Sequence, residues 1–340
     1  MKFPKNAFLA SCLLLAFARC HVAAADYRMK KPVELTFATI SVGTGMYTNA
    51  AAIAQLFDKA FPSGSIVDVS TTSPGGVGAS VVVNNGECDL SLGNAVFTKW
   101  AVETGILGQP PVTKVASVAG GIDNIVINVL FTQDFVNRTG LTTVEDIVAK
   151  RHPVRLTTKT VGSGGELAAS AVFEALGATY ADIKSWGGTV THTGADAASS
   201  LLKDGKADIT IDLLNPGQAT TAELCLTTKM FFPALAPATL DKLVERGFDR
   251  VAIPAGAWSG QSADIASVGS PQVVIVNTDT VDDATAYTMA KAICEGVDHL
   301  KSVSASMANF DAQAAWQPLK CGAPLHPGAE AYYRQAGYMK

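Results

Sequence analysis

The chain has 340 residues, 48% hydrophobic and 16% charged, a length that suits about two domains and a composition that excludes wholesale disorder. Lys plus Arg total 26 and Asp plus Glu total 30, with no basic block, so a phosphate backbone is excluded as the partner and no nucleic acid is expected. Aromatics are scarce at 7% while glycines number 30, a balance that favours a glycine-turned α/β protein over an aromatic-rich carbohydrate or base-stacking surface.

The N-terminus reads as a secretory signal peptide over residues 1–25. Lys2 and Lys5 form a short positive region, Ala7 to Phe17 is almost wholly apolar, and Ala23 and Ala25 are the small residues a signal peptidase wants before Asp26. The apolar run is shorter than an ordinary membrane span. Cleavage there places the protein in the periplasm and removes Lys2, Lys5 and Arg19, leaving a formal charge of −7. Cys88, Cys225, Cys294 and Cys321 then remain. In an oxidising compartment four cysteines allow three full pairings, and free buried thiols are as good a reading as one disulfide. Their wide spacing gives no zinc or redox motif.

An internal repeat organises the rest. Ser41–Leu92 aligns with Thr160–Ile211 at a constant shift of 119 without a gap. Gly43 and Gly45 fall on Gly162 and Gly164, Gly75 on Gly194, Gly86 on Gly205, and Asp89 on Asp208. Each copy has the same grammar. A short strand (Glu34–Ile40, Val154–Thr158) runs into a Gly-rich turn, and a helix follows (Ala50–Ala60, Leu167–Leu176). A second strand, a second Gly turn and another helix come next, then a buried strand (Asp89–Leu92, Asp208–Asp212). Such alternation predicts an α/β protein of two lobes, each a mixed or parallel sheet with helices on both faces. The apolar runs Asn124–Phe131 and Gln272–Asn277 read as two hinge strands that cross between the lobes. Lobe I is then 26–128 plus 274–340, and lobe II is 129–273. Thr280–Leu300 reads as one helix, and Leu319–Lys340 packs back on a lobe.

In open α/β sheets ligands sit at the carboxyl ends of strands. Here those ends carry Val42-Gly43-Thr44-Gly45 and Pro74-Gly75-Gly76-Val77 in one lobe and Gly162-Ser163-Gly164-Gly165 in the other. Each turn precedes a helix, whose free N–H groups and positive dipole end suit a carboxylate without any Arg. Tight turning alone would explain one such loop; a repeated set facing one cleft favours binding. Catalytic and cofactor motifs are lacking: the sequence has no HExxH, no GxSxG and no phosphate loop, and Gly43-Thr44-Gly45 lacks the third glycine of a dinucleotide fingerprint. No metal, cofactor or catalytic residue is therefore expected. A periplasmic hydrolase using His192 or Ser163 is the reading from another class, and it needs a base within reach of a nucleophile.

Together these segments resemble the TAXI family, the solute-binding proteins of one class of tripartite ATP-independent periplasmic (TRAP) transporters. The resemblance rests on Gly43-Thr44-Gly45-Met46-Tyr47, Gly75-Gly76-Val77, Gly86-Glu87-Cys88-Asp89-Leu90, Val161 to Gly165 and Leu202 to Asp208. Most specific are Ile253-Pro254-Ala255-Gly256 with Gly260-Gln261, and Pro324 to Glu330 with Tyr332-Tyr333. The resemblance implies a two-lobed receptor that closes on a small organic anion, typically glutamate, 2-oxoglutarate or a related carboxylate; a monomer is expected, since lobe closure works without a partner subunit. It would hand that ligand to TRAP permease subunits, fused or separate; a sensor kinase reading the same closure is the alternative partner. The implied ligand contacts are Gly43, Thr44, Tyr47, Gly75, Gly76, Val77, Asn94, Ser163, Gly164 and Gly165, with Asn94 standing where the family commonly has Gln. Gly45 completes the first loop. Lys159 and Asp212 depart from the pattern. Lys159 sits at a strand end, as a surface charge or as the partner of a ligand carboxylate. Asp212 would receive a ligand ammonium or neutralise Lys159. Met46, Val96 and Trp258 also depart, which bears on the ligand more than on the fold.

Overall fold

The structure is a computed structural model that describes residues 27–42 and 44–340. The expected signal peptide and Gly43 lie outside the described residues. Ten strands follow in chain order: β1 (Glu34–Ala38), β2 (Ile66–Ser70), β3 (Leu90–Asn94), β4 (Val115–Thr132), β5 (Arg155–Thr158), β6 (Thr189–His192), β7 (Ile209–Leu214), β8 (Met230–Phe231), β9 (Asp249–Ile253) and β10 (Ile265–Asn277).

The expected α/β arrangement is present. β2, β1 and β3 are parallel neighbours in the first repeat copy, and β6, β5 and β7 are parallel neighbours in the second. β10 and β4 stand between the two sets, antiparallel to each other and to the strands they flank. They are longer than the apolar runs in the sequence, 18 residues for β4 and 13 for β10. Because they pair with each other through the crossing, hydrogen bonding runs unbroken through a ten-stranded sheet, eight strands in the order β2-β1-β3-β10-β4-β7-β5-β6, with β8 paired to β4 and β9 to β10. The register between them shifts at Pro271/Val273 and again at Val274/Ile275. Pro271 has no N–H to give a ladder, so the first irregularity falls where the ladder is weakest.

The repeat is visible atom by atom. Thr44 caps the Gly45–Ala60 helix by accepting from Tyr47 N, and Ser163 caps the Gly164–Ala175 helix by accepting from Glu166 N. Both helices bury small and aromatic residues on the sheet. Ala50, Ile53 and Phe57 fill the first; Ala168, Val172 and Phe173 fill the second.

Two corrections concern helices. Both repeat helices start earlier than their apolar spacing indicates, because their first turns carry the glycines and caps of the loop. The single helix expected over Thr280–Leu300 is two, Asp283–Glu295 and Val297–Val303. The break is at Gly296, where a Cβ would lie 2.6 Å from the Leu56 methyls and 2.7 Å from Ala292 O, so any side chain there would force its surroundings to shift. The two most specific family-like segments are structural. His326 caps the Pro327–Gln335 helix, its Nε2 sits 3.0 Å from Val281 O, and its N–H bonds Ser117 O in β4. Tyr333 Oη donates to Val118 O at 3.0 Å, which ties the tail to the crossing strand. Gln261 Nε2 donates to three carbonyls, of Ile253, Pro254 and Ala263, and so closes the turn after β9.

Cys88, Cys225, Cys294 and Cys321 are free and buried. Burial pushes the Cys88, Cys294 and Cys321 thiols up to about 12 and Cys225 up to about 11, so none is a ready thiolate. Among the described residues no helix is long and apolar enough to cross a membrane.

Candidate functional site

The loops at the carboxyl ends of the strands form two clusters. In the first copy Gly76 packs on Asn94 so tightly that a Cβ would lie 1.8 Å from Asn94 Oδ1. Asn94 N donates to Gly76 O at 3.3 Å. Asn94 itself is buried and its Nδ2 donor has no protein partner. A buried amide left this way is short of one acceptor. Gly75 has a φ of +98° and turns the loop, its N–H bonding Ser73 Oγ, while Val77 is buried beneath it. Thr44, Gly45 and Tyr47 form the start of the first repeat helix, with space open beside Gly45.

In the second copy Lys159 Nζ pairs with Asp212 Oδ2 at 3.1 Å. Asp212 is buried, and its Oδ1 accepts from Leu213 N. Burial pushes its carboxyl up, and the Lys159 charge and the Leu213 N–H hold it back only in part. Gly165 backs the pair: a Cβ there would lie 2.1 Å from Asp212 Oδ1 and 2.6 Å from Lys159 Cγ. So of the two roles open to Asp212, neutralising Lys159 is the one the geometry displays. The cavity beside the pair is about 30 Å³, room for about one water.

The clusters meet through apolar side chains. A Cβ on Gly164 would lie 3.1 Å from Phe97 Cε2, and Phe97 is in the helix that begins directly after Asn94. Leu107 lies between the loops, 3.3 Å from a Cβ on Gly162 and 3.8 Å from one on Gly78. Its φ of 54° is left-handed, a strained position for leucine. Phe97 belongs to one buried cluster that holds Val83 and Ile275 from one side and Leu156, Phe173 and Leu213 from the other. Burying a side chain of that size contributes about 2–3 kcal/mol. No hydrogen bond or ion pair joins the two sets of expected contact residues among those described.

Beside the paired β4 and β10 the lining is mixed polar and apolar, and the space is roomy. A cavity of about 610 Å³ is walled by Asp123 and Asn124 of β4, Asn215 and Pro216 after β7, Pro271 of β10, and Ser306, Asn309 and Lys320. Asp123 is 5% exposed. Asn215 Nδ2 donates to Asp123 Oδ1 at 3.0 Å and to Oδ2 at 3.2 Å. Behind them Asn49 Nδ2 donates to Gln272 Oε1 at 3.1 Å, and Ser306 Oγ to Asn49 Oδ1 at 3.4 Å. The volume lies in the range of small-molecule sites, and the polar groups come from β4, the turn after β7 and the segments around Ser306 and Lys320. Sequence reasoning missed Asp123, Asn215 and Gln272. The available signal was a polar pair, Asp123-Asn124, within an otherwise apolar β run.

Residues 37–337 match the NMT1-like family over most of the chain. The protein belongs to the NMT1-like family. This NMT1-like protein is also similar to solved structures. One is a TRAP periplasmic solute-binding protein from Ochrobactrum anthropi, at 16% identity and a TM-score of 0.47, covering 92% of this chain and 88% of that one. Another is MatC from Rhodopseudomonas palustris with bound malate, at 14% identity and a TM-score of 0.46, covering 91% and 100%. A third is the periplasmic binding protein BugD, at 15% identity and a TM-score of 0.46, covering 91% and 95%.

The hydrolase arrangement is not assembled. His192 Nδ1 lies 3.3 Å from Lys159 O, and its ring packs edge-on to Tyr180. Ser163 Oγ is engaged as a helix cap by Glu166 N. No hydrogen bond joins the two.

Proposed function

We propose that the protein is a periplasmic solute receptor of the TAXI type, which closes on a small organic acid and delivers it to a TRAP permease. The observation that carries this reading is the cavity of about 610 Å³ beside the paired β4 and β10, whose walls come from both of those strands, the turn after β7 and the segment around Ser306. The glycine loops that open the two capped helices, with Thr44, Gly45, Ser163 and Gly164, offer further amide donors for a carboxylate. Gly76 and Asn94 add a buried amide whose donor is unspent. In this reading 26–128 with 274–340 and 129–273 are the two lobes, and β4 and β10 are the hinges.

The mechanism makes no bond. Ligand enters between the lobes, its carboxylate takes the loop amides, and closure excludes water and strengthens those bonds. The ligand shifts the population only if it binds the closed state more tightly. The permease then reads the closed surface. A thermal-shift screen of the purified protein, followed by calorimetry, tests this. A ligand that binds only the folded state raises stability by about 2.7 kcal/mol at a hundredfold excess over Kd. Binding without turnover of a small acid is the expected result. Turnover of the bound compound, or no response to any acid, amino acid or C4 dicarboxylate, would overturn it.

A further inference from the structure

One charge in the crossing cavity has no counter-charge. Asp123 is as buried as Asp208 and Asp212, yet those two have cations: Arg138 and Arg155 on Asp208, and Lys159 on Asp212. The partners of Asp123 are neutral: it accepts from the side chain of Asn215 and from the N–H of Asn124 at 2.6 Å, and the side chains of Ser306 and Asn49 also bond to it. No ion pair joins it to a Lys, Arg or His among the described residues. The cation in the same cavity, Lys320, pairs with Asp249. A buried carboxylate held only by neutral donors is costly, and a cation reaching it from the cavity would compensate its charge.

On the reading of that cavity as the ligand site, we infer that Asp123 seats a protonated amine, so the receptor takes solutes that carry an ammonium group. A bare metal ion fits less well. The space is about 610 Å³, and no group of three or more His, Cys, Asp or Glu suited to a metal occurs among the described residues. Asn215 follows β7 directly and Asp123 lies on β4. An ammonium on Asp123 therefore ties ligand recognition to the element that joins the lobes.

The test uses paired probes that differ only at the amine: glutamate with 2-oxoglutarate, and leucine with its 2-oxo acid. Calorimetry is run on the wild type and on Asp123→Asn, which keeps the shape and removes the charge. The amine member is expected to bind at least about tenfold tighter, the scale of one charged hydrogen bond, and Asp123→Asn is expected to erase that preference. Equal or tighter binding of the oxo acid overturns the ammonium assignment while leaving the receptor reading intact. So does a preference that survives Asp123→Asn. Binding of no acid and no amine sinks both. The comparison on the wild type alone decides the matter if the variant does not fold.

Discussion

Asp89 and Asp208, 119 residues apart, make the same bond in the two copies of the repeat. Asp89 Oδ2 accepts from Thr36 N at 2.8 Å, and Asp208 Oδ2 accepts from Arg155 N at 2.9 Å. Each carboxylate ties the start of a buried strand to the strand beside it. The copies then diverge. Asp208 also receives the Arg155 and Arg138 guanidiniums, at 2.6 and 2.9 Å. Burial works against its charge, but the bonds from Arg155 and the charges of Arg155 and Arg138 outweigh that and hold its carboxyl below the usual range.

Asp208→Asn is therefore expected to cost about 1–3 kcal/mol, the worth of hydrogen bonds to a charged group. Asp89→Asn, with no Arg partner, is expected to cost less. Urea unfolding at neutral pH checks both. Because the folded pKa lies below the unfolded one, the contribution of Asp208 is present above about pH 4 and lost as pH falls through the folded value. The gap between wild type and Asp208→Asn should close on acidification; a gap that stays constant to low pH would refute the charge argument.

The glycines of the two loops make a sharper test. A methyl at Gly76 or Gly165 would collide with Asn94 or Asp212, whereas one at Gly194 meets nothing within 4 Å. Gly76→Ala and Gly165→Ala are expected to cost about 1–3 kcal/mol by overpacking and to weaken ligand binding. Gly194→Ala is expected to leave both nearly unchanged. Melting curves with and without ligand separate the two effects. Equal behaviour of all three variants would remove the loops from the site.

How far the sequence could be read follows from these same residues. The repeat offset places Thr44 over Ser163 and Asp89 over Asp208, and the structure gives each pair one role, because capping and strand-end bonding are local and repeat with the chain. Lys159 and Asp212 were legible as a pair because each stands out as a charge, one at the end of β5 and one within β7, the strand that pairs with β5. Asp123 with Asn215, and Asn49 with Gln272, were not. Their partners are far apart in sequence, and only the crossing of β4 and β10 brings them together. Gly164 against Phe97 is of the same kind: the sequence reports a helix start and an apolar helix, not their meeting.

Asp123 also predicts a pH dependence. Burial pushes its carboxyl above the usual range, and the bonds from Asn215 and Asn124, with Ser306 and Asn49 near, offset this only in part. A raised folded pKa means the folded state holds the proton more tightly. Stability then falls as pH rises from about 3.9 through the folded value. Without ligand, Asp123→Asn is expected to be more stable than wild type at neutral pH, with the difference fading toward pH 4. A variant that is less stable at neutral pH would mean that the charge is already compensated.

The Lys159–Asp212 pair allows the fullest test, because either partner can be removed. Asp212 is nearly buried, while the Lys159 side chain is 26% exposed. Lys159→Met strands a carboxylate in the interior, and such losses cost about 3–5 kcal/mol. Asp212→Asn strands only an amine that can turn to water, and is expected to cost less. The double variant Lys159→Met/Asp212→Leu removes both charges and their desolvation, so much of the loss in Lys159→Met should return. A double-mutant cycle by urea unfolding gives the coupling. Additive single effects would mean that the pair is screened by water. Lys159 would then be free to meet a ligand carboxylate, and Lys159→Met would lower ligand affinity without lowering stability. A coupling of about 1 kcal/mol or more, with ligand affinity unchanged in the double variant, assigns the pair to the scaffold that holds Gly165 and the second loop in place.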